Sequence, residues 1–263
     1  MSAATPVAAV RVVILGASNV ARGIGTIVDV ARDMLGSPVE IVAAMGHGSS
    51  YGLTTSIPFR TLPGILECGL WTALAERAPL PTYTILTDIG NDLLYGCSPQ
   101  QVIGWTSACA ARLRPLSEQM AILGLPLESV RGVGPLRFRA FRNLLFPKST
   151  LALVDAQRYA LEIDAAVREI AREQDAQFIA PRANWYGVDP IHLRLRGQRA
   201  AWLEIFSALR QKDFSSSSRA ATAWREWWRV MTIRLQRSHV MRIARECPQP
   251  AVRLHDGSTV SFY

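Results

Sequence analysis

A three-layer α/β/α architecture on a doubly wound, five-stranded parallel sheet is the fold class this sequence predicts, and three observations lead to it. Five short apolar runs alternate with stretches whose apolar residues recur at helical spacing. The runs are bounded by Gly, Pro and small polar residues, which mark strand ends and turns. The first unit reads strand, helix, strand over residues 12–45, and that order implies a parallel crossover. At 263 residues, 49% apolar and 19% charged, the chain can bury one large core and still carry an appendage.

Taken in order, the first strand is the apolar run 12–15, which stops at Gly16-Ala17-Ser18-Asn19. Val20, Ile24, Ile27, Val28, Ala31 and Leu35 then give an amphipathic helix that ends before Gly36-Ser37-Pro38. Residues 39–45 form a second buried strand, closed by Gly46-His47-Gly48. The segment 46–63, rich in Gly, Ser, Thr and Pro, has no steady period and reads as a loop of the length usually kept for function. A helix over 65–77 leads to the third strand, 83–88, which runs into Ile89-Gly90-Asn91-Asp92-Leu93. Pro99 opens a helix that lasts to about 113, and 120–127 is the fourth strand. Residues 128–149 hold Gly132, Gly134, Pro135 and Pro147 among several arginines, without a period that assigns an element. A helix over 151–173, a fifth strand over 177–180, a loop over 183–192 and a helix over 197–209 complete the alternation.

Residues 1–211 are therefore expected to form the α/β domain and 212–263 a helical C-terminal extension. That extension reads as a Ser-rich linker over 212–219, a Trp/Arg-rich helix over 221–245 and a terminal hairpin over 252–262 around Asp256-Gly257. Net charge is +8, and it is concentrated here: from Phe214 onward eight arginines face three acidic residues. The apolar stripe of Trp224, Trp227, Trp228, Met231, Leu235 and Val240 is expected to pack on the fold or to join two copies in a homo-oligomer. A membrane surface of anionic lipids is the second partner such a helix suits, and nucleic acid the third and least favoured. No apolar run reaches the roughly 18 residues of a membrane span, and residues 1–10 have no secretion-signal pattern. Cys68, Cys97, Cys109 and Cys247 show no Cys-x-x-Cys spacing, so reduced thiols in a cytoplasmic setting are expected.

In doubly wound sheets ligands bind beyond the carboxyl ends of the strands. The loops expected there hold Ser18, Gly46, Asn91, and Asp189 with His192. Ser18 sits where the first N–H groups of a helix lack intrahelical partners, beside the positive end of the helix dipole. Capping of that helix by Ser18 or Asn19 is the competing role. Asp189-Pro190-Ile191-His192 spaces a carboxylate three residues before an imidazole, close enough to accept from Nδ1 and leave Nε2 as a base. Asp88 and Asp92 flank Asn91 and are expected to fix the loop by hydrogen bonds rather than to act in chemistry.

Gly16-Ala17-Ser18-Asn19, Gly46, Gly90-Asn91-Asp92, and Asp189-x-x-His192 followed by Gly197 resemble the blocks of the SGNH hydrolase (GDSL esterase/lipase-like) family, across residues 10–210. The resemblance implies a flavodoxin-like fold and a serine esterase with neither cofactor nor metal. It implies Ser18 as nucleophile, His192 as general base and Asp189 as the residue that orients the imidazole. The oxyanion hole would combine the N–H groups of Ser18 and Gly46 with the side-chain amide of Asn91. Ala17 stands where the usual first block has Asp, Gly90 directly precedes Asn91 where members usually have Gly one residue earlier, and Gly48 is an alternative to Gly46. The implied substrate is a small-molecule ester, small acyl groups being favoured over long lipid chains. An acyltransferase of the same fold would differ only in letting an alcohol outcompete water. The alternative from another class is a catalytically silent protein whose basic, Trp-rich tail binds membrane or nucleic acid.

Three other motifs fail on context. Gly48-Ser49-Ser50-Tyr51-Gly52 matches the G-x-S-x-G elbow, but Pro58 and Pro63 occupy the stretch where that elbow must open into a helix. The glycines Gly16, Gly23 and Gly25 miss the dinucleotide spacing, which argues against a nicotinamide cofactor. His47, His239 and His255 have no ligand-like spacing for a metal.

Overall fold

A computed structural model describes residues 7–57, 60–187, 189–209, 224–240 and 243–263. The chain runs through β1 (Val10–Leu15), α1 (Ser18–Leu35), β2 (Val39–Ala44), the hairpin strands β3 (Thr55–Ile57) and β4 (Arg60–Leu62), and α2 (Leu70–Glu76). β5 (Thr82–Leu86), a 3-10 turn (Ile89–Tyr95), α3 (Pro99–Leu113) and β6 (Gln119–Leu123) follow. α4 (Leu127–Arg131), α5 (Pro135–Leu145), α6 (Leu153–Glu173), β7 (Gln177–Ile179) and α7 (Gln198–Ala208) come next. The C-terminal segment contributes α8 (Trp224–Met231), β8 (Arg237–Val240), β9 (Ile243–Glu246), β10 (Val252–Arg253) and β11 (Thr259–Phe262).

The main sheet has the order β10-β11-β2-β1-β5-β6-β7 and is parallel throughout except for β10. The side chains of β1 show why it lies at the centre. Val12 and Ile14 point into one core with Ile24, Ile27, Trp202 and Phe206, while Val13 and Leu15 point into the other with Val102, Leu113, Ile163 and Val167. A strand buried on both faces needs an unbroken apolar run, and Val-Val-Ile-Leu supplies it. Each such Val, Leu or Ile removed from water contributes about 2 kcal/mol. α3 starts at Pro99 because Ser98 and Gln101 form a capping box around it.

The expected five strands are present as β2-β1-β5-β6-β7, but the sheet has seven. The other two are the terminal hairpin, whose β11 pairs in parallel with β2, Val260 opposite Ile41. Arg77 fastens this edge: it donates to Glu40 at 2.9 Å and to the Tyr263 hydroxyl at 3.0 Å, while Glu40 also pairs with Arg11. Tyr263 O in turn accepts the Met45 N–H at 3.2 Å, so the last residue supports the start of the Gly46 loop.

The helix expected over 221–245 ends at Met231 among the described residues, and Arg237–Val240 and Ile243–Glu246 are instead the paired strands β8 and β9, joined through β8 to β4 in a small antiparallel sheet. Residues 232–235 open with two β-branched side chains, and the β8–β9 stretch then finds a pairing edge on β4; neither is visible in a helical count of Trp and Leu. α8 does pack on α1. A side chain at Gly25 would come within 2.4 Å of the Trp227 indole, so this glycine makes the groove that receives it. Trp224 and Trp228 remain exposed. The Ser-rich stretch 212–219 lies outside the described residues. No helix among the described residues is long and apolar enough to cross a membrane.

Candidate active site

The turn after β1 is shaped by steric limits. At Gly16 a Cβ would fall 2.4 Å from Val20 and 2.9 Å from Thr87, so only glycine fits there. Ser18 is the first residue of α1, and neither Ser18 nor Asn19 caps the helix. That task falls to Asp88, across the sheet at the end of β5: its Oδ2 accepts the N–H groups of Ala17 at 2.8 Å and Asn19 at 3.1 Å. The N–H of Ser18 between them has no acceptor among the described residues and stays available to a ligand. Asp88 itself adopts the left-handed conformation, φ 60°, which Asp tolerates better than most residues.

Asn19 carries the connection onward. Its amide nitrogen donates to Asp88 Oδ1 at 2.7 Å and to Ile191 O at 2.8 Å, and its Oδ1 accepts the Leu193 N–H at 2.8 Å. Ile191 and Leu193 are thus pinned to the turn that bears Ser18, and an antiparallel bridge joins Leu193 to Tyr186. Between them, His192 Nε2 lies 2.8 Å from Ser18 Oγ, and His192 Nδ1 is hydrogen-bonded to Asp189 Oδ2. Asp189 Oδ1 accepts the N–H groups of Ile191 and His192, which fixes the carboxylate. Partial burial raises the Asp189 pKa, but the hydrogen bond and charge of His192 outweigh it and hold the group below the usual carboxylate range.

Across the cleft, the 3-10 turn carrying Asn91 is tied to the segment after β2. Tyr95 donates to Gly48 O at 2.8 Å, and the fully buried Asp92 accepts from Ser50 Oγ and, at 3.2 Å, from the Tyr51 N–H. Burial pushes the Asp92 carboxyl up to about 6 in spite of these donors. Asn91 and Gly48, φ 77°, line the same cleft of about 380 Å³ as Ser18, His192 and Asp189. Gly46 is not among its lining residues and faces Leu62 and Ser49 instead. His47 joins the rim; burial first, then Arg22 and Arg60, lower its pKa and favour the neutral ring.

Ser50, the centre of the G-x-S-x-G match, is fully buried, and its Oγ takes the N–H groups of Gly52 and Leu53 while it donates to Asp92. The strand β3 follows it rather than a helix. Two participants show only a local role in the sequence. Asn19 reads as a cap there, and nothing shows that its amide joins both loops; Asp88 reads as local loop support rather than as the cap of a helix 70 residues earlier. Among the described residues no group of three or more His, Cys, Asp or Glu side chains converges as a metal site.

No protein-family model and no curated protein sequence matches the chain. Solved structures do share its fold. Est24, a carbohydrate acetylesterase from Sinorhizobium meliloti, is 14% identical with a TM-score of 0.54 over 75% of this chain and 97% of its own. An aryl esterase of M. smegmatis is 13% identical with a TM-score of 0.51 over 76% of this chain and all of its own. The α/β fold with a mainly parallel sheet and flanking helices is therefore shared with these two esterases, with the C-terminal region as an addition.

Proposed function

We propose that the chain is a serine esterase that cleaves carboxylic esters through an acyl-enzyme on Ser18. The observation that carries this reading is the continuous chain from Asp189 to His192 to Ser18, in which the base stands 2.8 Å from the hydroxyl whose proton it must take. Ser18 Oγ attacks the ester carbonyl as its proton passes to His192 Nε2, and Asp189 stabilises the resulting imidazolium and its orientation. The N–H of Ser18, at the positive end of α1, and the amide of Asn91 donate to the tetrahedral oxyanion, with a third donor from Gly46 or, on the side that lines the cleft, Gly48. His192 then returns the proton to the leaving alcohol, and water repeats the attack to release the carboxylic acid. The esterases that share the fold support the reaction class.

Fluorophosphonate labelling followed by peptide mapping tests this. One equivalent of label on the peptide containing Ser18, and none in Ser18→Ala, is the expected result. Label on Ser50, or equal labelling of both proteins, would overturn it.

A further inference from the structure

Beside the cleft lies a second cavity, lined mainly by apolar side chains, with Asn19, Thr87, Asp88 and Asn91 as its polar lining. Its walls come from the Asn91 turn (Leu94), the end of β6 (Leu125), the α4–α5 segment (Phe138, Phe141) and two small residues one turn apart on α6, Ala156 and Ala160. Asn91 and Ile191 line both this cavity and the catalytic cleft, so the two share a wall beside the proposed oxyanion site. A carbonyl held between Ser18 and Asn91 would therefore have its alkyl chain next to the residues that the second cavity shares with the cleft. In the α4–α5 segment that lines it, Phe138 is the one buried side chain of α5, and Leu136 and Leu144 are exposed.

We propose that this cavity is the acyl-chain site, and that its floor at Ala156 and Ala160 sets the chain length the enzyme accepts. The cavity measures about 90 Å³. An apolar cavity of roughly 150 Å³ holds a benzene ring, so this one takes about three or four carbons. Counting the carbonyl and the carbon that crosses the shared wall, the favoured substrates are linear acyl esters of about five or six carbons. Acetyl esters stop short of the cavity, and long lipid chains overrun its floor. The inference rests on Ser18 being the nucleophile.

The test is a chain-length series of para-nitrophenyl esters, acetate to decanoate, with the full-length protein. Wild type should favour butanoate over acetate by about tenfold or more, since each methylene that enters an apolar site contributes about fourfold. Ala156→Leu, which fills the floor, should bring that ratio close to one. Phe141→Ala, at a partly exposed position that folding tolerates, should move the optimum to longer chains by about two carbons. A wild-type optimum at acetate, or the same chain-length profile in all three proteins, would overturn the proposal while leaving Ser18-dependent hydrolysis intact. Absence of any ester turnover and of fluorophosphonate labelling at Ser18 would overturn the underlying reading as well.

Discussion

Asp88 and Asp92 stand four residues apart on either side of Asn91, and each holds one wall of the cleft by a different means. Asp88 is partly open and gathers three N–H donors, from Ala17, Asn19 and the Asn19 side chain, to fix the turn that bears Ser18. Asp92 is fully buried, has one hydroxyl and one N–H for partners, and ties the Asn91 turn to the Gly48 segment. The first is held by the number of donors it receives. The second is held by fewer donors in full burial, and that burial raises its pKa to about 6. Geometry around a reacting atom can thus be secured from the same short turn at two different electrostatic costs.

Breaking the first clamp should have the larger effect. Asp88→Ala leaves two backbone N–H groups and an amide without their acceptor, at a cost of about 2–4 kcal/mol in stability. Misplacement of Ser18 should lower kcat/KM by about 10²-fold or more, which ester kinetics on the folded variant would show. Asn19→Ala removes the link between the Ser18 turn and the His192 loop. A loss of about 2 kcal/mol in urea unfolding and about tenfold in kcat/KM is expected, with KM moving less than kcat.

The second clamp should answer to pH. Asp92 has a folded pKa of about 6 against an ordinary value of 3.8, so the folded protein binds the extra proton and stability falls as pH rises across that window. Asp92→Asn cannot titrate, so the melting temperature of wild type minus that of the variant should decline between pH 4 and pH 6 and level off above. A flat difference would contradict a raised pKa. The smallest effect should come from Tyr95→Phe, which frees the Gly48 carbonyl at a half-buried position and costs about 1 kcal/mol, again by urea unfolding.

The parts of this molecule that show in the sequence are those encoded within a few residues. Val12 to Leu15 declares a central strand because both faces are apolar, and Asp189-x-x-His192 declares a carboxylate–imidazole pair because a three-residue step brings the two side chains together. Ser18 meets His192 across 174 residues of chain, and only the order of strands in a doubly wound sheet suggests the meeting. The place of β11 beside β2 has no local signal, since pairing depends on a partner some 219 residues away. α5 was equally silent: Leu136 and Leu144 face solvent while Phe138 is buried, so its apolar residues never form one stripe. The choice between Gly46 and Gly48 is unreadable because both follow the same strand, only two residues apart, and Gly48 alone lines the cleft.

Hydrolysis of para-nitrophenyl butanoate by wild type, Ser18→Ala and Ser50→Ala bears most directly on whether Ser18 is the nucleophile. Ser18→Ala should lose about 10⁴-fold or more in kcat while melting like wild type, and Ser50→Ala, whose hydroxyl only supports a loop, should keep measurable turnover. Wild-type turnover by the Ser18 variant, or a loss confined to the Ser50 variant, would contradict it.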